Sequence, residues 1–116
     1  MPARSPGDDL LAQLRSVIVS LVRRDGPDLT TRQFGVFLTV YLTKGPHTVR
    51  GLACALNIDK SGVTRGLDRL AEFGLARRRS DPKDRRSVLI RRTVQGAALL
   101  RELHALLGQA VDLPEG

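Results

Sequence analysis

The side chains of this sequence that can do chemistry are overwhelmingly arginines. Of 19 basic residues in 116, only Lys44, Lys60 and Lys83 are lysine. Arginine holds a permanent charge on a planar fork of donors, which fits the paired oxygens of a phosphate and the edge of a base. A GC-rich genome would also favour arginine, so this preference alone leaves both readings open. Position says more than composition. Residues 44–93 hold 13 basic and five acidic side chains, whereas the other 66 residues hold six and seven. The whole formal excess of +7 therefore sits in the middle of the chain, between near-neutral ends rich in Leu, Val and Ala. An anionic partner is implied, nucleic acid before an anionic membrane surface.

Other chemistries are poorly served. No Ser/His/Asp or Cys/His constellation, glycine-rich phosphate loop or paired-carboxylate motif is present, which argues against an enzyme. His47 and His104 have no Cys or carboxylate partner at metal-ligand spacing, so neither a metal nor another cofactor is expected. Cys54 is the only cysteine. It cannot form an internal disulfide and suits a reducing cytoplasm. Its place beside Ala53 and near Leu56 predicts a buried, inert thiol rather than a redox sensor, for which Arg50 one turn away is weak support. No apolar run is long enough for a membrane span and no secretion signal is evident, so a cytoplasmic protein is expected.

The elements that must position the arginines follow from periodicity. Residues 1–7 read as a disordered lead-in and 8–116 as a single domain. A first helix over 8–26 starts from Ser5, Pro6 and Asp8 and has Leu10, Leu11, Leu14, Val17, Ile18, Leu21 and Val22 on one face. Arg23 and Arg24 suit its last turn, and Gly26-Pro27 stops it. Thr30 or Thr31 caps a second helix reaching about Leu42, with Phe34, Phe37, Leu38, Tyr41 and Leu42 inward. Thr48 caps a short third, with Val49, Leu52, Ala53 and Leu56 apolar. Asn57 tolerates the left-handed end, and Asp59 caps a fourth helix from Lys60 to Phe73, stopped by Gly74. In that helix Val63, Leu67 and Leu70 share one face. Ser61, Arg65, Asp68, Arg69 and Glu72 point the other way, flanked by Thr64. Two β-like stretches, Leu75–Ser80 and Ser87–Thr93, flank a charged turn from Asp81 to Arg86. Thr93 caps a last helix over 94–112, with Leu99, Leu100, Leu103, Leu106, Leu107, Ala110 and Val111 apolar.

Short helix, tight turn, amphipathic helix and basic hairpin in that order make a winged helix-turn-helix over 29–93, in a mainly α fold with a small β-hairpin. An α-helix fits the major groove of B-DNA, and an arginine at a hairpin tip can enter the narrow, electronegative minor groove. Candidate contacts on the fourth helix are Lys60, Ser61, Gly62, Thr64, Arg65 and Arg69. On the hairpin they are Arg77, Arg79, Lys83, Asp84, Arg85 and Arg86. Gly62 costs about 1 kcal/mol inside a helix, and close approach to DNA is one reason to keep it. Arg65 and Arg69 have a blander use in pairing with Asp68 and Glu72 along the helix.

Residues from about Leu29 to Leu100 resemble the MarR family of winged-helix transcription regulators. The likeness rests on Asn57 through Arg65, on Leu67-Asp68-Arg69-Leu70, on Gly74-Leu75, and on Asp81-Pro82-Lys83-Asp84-Arg85-Arg86-Ser87 in register with them. It implies a homodimeric regulator, most often a repressor, that binds double-stranded DNA at a pseudo-palindrome with Lys60–Phe73 as recognition helix. It also implies that Arg86 enters the minor groove and that Asp84 helps to hold it. The dimer would form through Leu10, Leu14, Val17, Leu21, Leu99, Leu103, Leu106 and Leu107 of the terminal helices. Arg92 departs from the family's usual apolar residue and places the packing at the base of the wing in question. Family members often bind small acids between these helices and the DNA-binding lobe. The short stretch after Thr93 leaves less wall for such a pocket, so an effector is not favoured. A rival reading is a protein-interaction module that joins another regulator through its apolar terminal helices.

Overall fold

Each helix starts on a side chain suited to satisfy its free amides. In the computed structural model, which describes residues 5–108, the elements are α1 (Pro6–Arg23), α2 (Thr31–Leu42), β1 (His47–Thr48), α3 (Val49–Leu56), α4 (Lys60–Glu72), β2 (Ala76–Asp81), β3 (Asp84–Arg92) and α5 (Val94–Leu107). The first four residues of the expected lead-in, and the expected end of the last helix with Ala110 and Val111, lie outside the described residues. Ser5 and Asp8 close a reciprocal capping box, each side chain accepting from the other's amide at 3.1 Å. This starts α1 at Pro6, before the expected Asp8. Thr30 and Gln33 do the same for α2. Thr48, Asp59 and Thr93 accept from the amides of Gly51, Gly62 and Gly96, each three residues on. Such caps typically contribute about 1 kcal/mol apiece.

The helix ends are equally local in origin. Asn57 adopts the left-handed conformation (φ 53°, ψ 46°), and the Ile58 amide closes back onto the Ala53 carbonyl at 3.1 Å. Gly74 repeats the device after α4: its φ is +73°, and the Leu75 amide reaches the Leu70 carbonyl at 2.8 Å. Both turns satisfy orphan carbonyls while sending the chain in a new direction. α1 ends at Arg23, with Arg24 already extended, so the expected helix to residue 26 is shorter.

The chain forms two compact units, one from its two ends (through Asp28 and from Leu99 on) and one from Leu29 to Ala98. In the first, Ala12, Val17, Leu99 and Leu103 are buried, and Arg24 pairs with Glu102. Val17, Leu99 and Leu103 of the expected dimerisation set are therefore covered within the chain itself. Leu21 and Leu106 are half-buried. Leu10, Leu14 and Leu107 are exposed, as are Leu11, Ile18 and Val22.

In the second unit, α2, α3 and α4 surround a core of Val36, Phe37, Val40, Leu52, Val63, Leu67 and Leu70, none more than 1% exposed. Phe34 and Leu38 are half-buried, and Leu42, expected inward, is exposed at the end of α2. A three-stranded antiparallel sheet, ordered β1-β3-β2, packs beside these helices. The sequence did not suggest β1. Its two residues, His47 and Thr48, pair with Ile90 and Leu89, tying the start of α3 to the hairpin.

Tyr41 joins α2 to the base of the hairpin. Its buried hydroxyl donates to the Leu75 carbonyl at 2.7 Å and accepts from the Thr93 amide at 2.9 Å. A Cβ on Gly96 would overlap that hydroxyl, so glycine is required there. Arg92 finds its place in the same corner. It donates to the carbonyls of Val40 (2.9 Å) and Thr43 (3.2 Å), and its guanidinium lies 5.7 Å from the centre of the Tyr41 ring. A cation at the C-terminal carbonyls of a helix is favourable. The base of the wing is thus packed with a charged residue where the family pattern favours an apolar one.

Candidate nucleic-acid interface

α4 is amphipathic as its spacing demands. Gly62, Val63, Gly66, Leu67 and Leu70 are buried, while Lys60, Ser61, Arg65, Asp68, Arg69 and Glu72 are exposed and Thr64 is half-buried. Gly62 is thus not on the reading surface. A Cβ there would lie 2.8 Å from Asp59 Oδ1. The missing side chain makes room for the helix cap, so close approach of DNA is not needed to explain the glycine.

Ser61 and Asp59 form a second local arrangement. The Ser61 hydroxyl donates to Asp59 Oδ2 at 2.8 Å, while Oδ1 accepts from the Gly62 amide at 2.9 Å. These hydrogen bonds, Ser61 first, and the charge of Arg65 hold the Asp59 carboxyl below its ordinary range. With its one proton so engaged, Ser61 presents only acceptor lone pairs outward. Such a group suits the exocyclic amine of adenine or cytosine better than a phosphate oxygen.

Arg69 takes the blander of its two uses. It pairs with Glu72 at 2.8 Å and lies 4.9 Å from the centre of the Phe73 ring, towards the end of α4. Asp68 does not pair along the helix; it binds Arg78 of β2.

The hairpin sorts its arginines by face. Across the ladder Ala76 opposes Arg92, Arg78 opposes Ile90, and Arg77 opposes Arg91. Cross-strand partners share a face, and the buried Ala76 and Ile90 mark the inward one. Arg78 and Arg92 therefore turn inward and are bonded within the molecule. Arg77, Arg79 and Arg91 share the outward face and are exposed. Arg91 completes this row, and its place follows from its alternation with the inward Ile90.

The tip is tighter than expected. Both strands run on, leaving Pro82 and Lys83 as the turn. Asp81 Oδ1 accepts from the Lys83 amide at 2.9 Å. Asp84 accepts from the Arg86 amide at 3.0 Å and from the Ser87 hydroxyl at 3.2 Å. Asp84 thus holds Arg86 through its backbone amide. Lys83, Arg85 and Arg86 are exposed and make no ion pair with another described residue.

Pairing of β1 with β3 brings three segments around one cleft of about 430 Å³, lined by Thr48, Val49 and Arg50 of the α3 start, Lys60 of α4, and Asp84, Arg86, Ser87 and Val88 of β3. Three cations meet there. Arg50, absent from the expected contacts, is the addition. Two-residue β1 carries no periodicity from which this meeting could be foreseen.

Expectations elsewhere fare differently. Cys54 is exposed on the two-turn α3, which corrects its expected burial. Only Leu52 of that helix is buried. Among the described residues no group of three His, Cys, Asp or Glu side chains could hold a metal ion, and no helix is long and apolar enough to cross a membrane.

Comparison with known proteins agrees with this geometry. The multiple antibiotic resistance protein MarR of Escherichia coli K12 is 37% identical over 82 residues, 71% of this chain and 56% of the relative. The chain thus spans little more than half the length of that relative. A crystal structure of a single-site mutant of E. coli MarR complexed with operator DNA aligns with a TM-score of 0.66 and 31% identity, over 87% of this chain and 66% of that one. CouR from Rhodococcus jostii RHA1, bound to p-coumaroyl-CoA, aligns with a TM-score of 0.62 and 28% identity, over 87% and 66%. The family model for MarR matches residues 29–88, more than half of the chain. The chain belongs to the MarR family.

Proposed function

We propose that this chain is a transcriptional regulator, not an enzyme, that binds double-stranded DNA sequence-specifically as a homodimer and represses from a pseudo-palindromic operator. The observation that carries this reading is the set of exposed cations beside the polar face of α4: Arg50, Lys60 and Arg86 around one cleft, with Arg77, Arg79 and Arg91 along the outward face of the hairpin. The N-terminal half of α4 enters the major groove, where Ser61, Thr64 and Arg65 read base edges. Arg86 enters the minor groove, and the other cations neutralise phosphate. A structural relative complexed with operator DNA supports duplex DNA as the partner. Two copies reading half-sites one turn apart would hold their recognition helices roughly 34 Å apart.

The test is selection of a duplex from a randomised pool, followed by titration of the recovered sequence. Neutralising six or more phosphates makes affinity fall by about 1000-fold or more between about 50 and 200 mM salt. Arg86→Ala weakens binding at least about tenfold, the size of a lost charge-assisted contact, with thermal unfolding unchanged. A flat salt response, or full affinity in Arg86→Ala, contradicts the assignment.

A further inference from the structure

We propose that Arg78 is a positioning residue: it fixes the hairpin against the recognition helix and does not itself bind DNA phosphate. The proposal rests on the DNA-binding reading above and adds a residue that composition would have counted among the phosphate ligands.

Arg78 is the middle member of the run Arg77-Arg78-Arg79, and the pleat turns it away from its neighbours. It stands opposite the buried Ile90, on the inward face. Its Nη2 donates to the Thr64 carbonyl at 3.0 Å and to the Asp68 carboxylate. Thr64 and Asp68 are one turn apart on α4, so their oxygens lie along one line of the helix surface. One guanidinium spans that turn and references the hairpin to the helix at a single point. Asp68 would otherwise present an unpaired carboxylate beside the proposed reading residues and repel phosphate. Arg78 answers that charge too.

The side chains of the pair are 36% and 56% exposed, so solvent screening makes it a minor contributor to global stability. Its effect is on orientation. Strand β2 otherwise packs on α4 near the hairpin base, where Ala76 is buried, whereas the proposed DNA contacts lie towards the tip. A small rotation at the base becomes a large displacement at Arg86, and fixing it beforehand lowers the ordering cost on binding.

The experiment compares the full chain with Arg78→Lys, Arg78→Ala, the charge-neutral double variant Asp68→Asn/Arg78→Gln, and Arg79→Ala. Binding to the duplex selected by the wild-type chain is titrated against salt, and amide hydrogen exchange of the hairpin is measured without DNA. Arg78→Ala and the double variant each lose about tenfold in affinity with the salt slope unchanged. Exchange of the hairpin amides quickens in both, and Arg78→Lys restores most of each loss. Arg79→Ala instead lowers the slope by about 1 with exchange unchanged. A slope that falls in Arg78→Ala as it does in Arg79→Ala makes Arg78 a phosphate ligand and overturns the proposal. Unchanged affinity overturns it as well, whatever the exchange shows. If the wild-type chain retains no duplex, the DNA-binding reading falls, and unchanged exchange would then also remove the hairpin-fixing role.

Discussion

Asp59 shows how one side chain can serve the helix and the surface together. Its two oxygens are divided between the Gly62 amide and the Ser61 hydroxyl, and both bonds favour the charged form. The folded-state pKa is depressed, so its contribution is full above the ordinary value of 3.8 and is lost as pH falls through the lower folded value. Asp59→Ala should lower the thermal midpoint by a few degrees at neutral pH. The deficit should shrink as pH falls below 3.8 and the Asp59 carboxylate takes up its proton. Melting curves across pH check this, and a deficit that grows in acid contradicts it. This residue was legible in sequence because capping depends on neighbours two and three positions away. Cys54 was not. Its exposure depends on which element covers α3, and an eight-residue helix with a single buried side chain leaves most of its circumference open.

Among the elements, helices were easier to read than strands for the same reason. Apolar spacing and local caps set α2, α3 and α4 nearly to the residue. The six residues from Asp81 to Arg86 read as a loop because they are charged and turn-forming. Two carboxylates take over backbone amides there, so the strands continue to Asp81 and from Asp84. β1 was invisible because a two-residue strand exists only by virtue of its partner. The junction of α2, the hairpin base and α5 is likewise a product of distant residues. Tyr41→Phe leaves the Leu75 carbonyl and the Thr93 amide without their partner and should cost about 1–3 kcal/mol. Urea unfolding measures it, and an unchanged midpoint would show that the hydroxyl is dispensable. The departure at Arg92 belongs to this element too. Its long side chain reaches the end of α2, which no spacing rule within the hairpin could reveal.

For the molecule as a whole, structure divides a charge that composition could only sum. Arg24, Arg69, Arg78 and Arg92 are spent on contacts within the chain, whereas exposed Arg50, Lys60, Arg65, Arg77, Arg79, Lys83, Arg85, Arg86 and Arg91 lie on the start of α3, on α4 and on the hairpin. The other surface of consequence is apolar. Leu10, Leu11, Leu14, Ile18 and Val22 of α1 are each 47–77% exposed within an arc of about 120°. If this stripe pairs two copies, Leu14→Glu/Ile18→Glu should reduce the mass in light scattering from twice 12.7 kDa to 12.7 kDa and weaken operator binding in parallel. A dimer that survives the double substitution would place the interface elsewhere. The same economy of aromatic residues gives the chain an optical property. Tyr41 is its one tyrosine, and it has no tryptophan. All ultraviolet emission excited at tyrosine wavelengths therefore originates where α2, the hairpin base and the first turn of α5 meet, making the native protein, unlabelled, its own spectroscopic gauge of that joint.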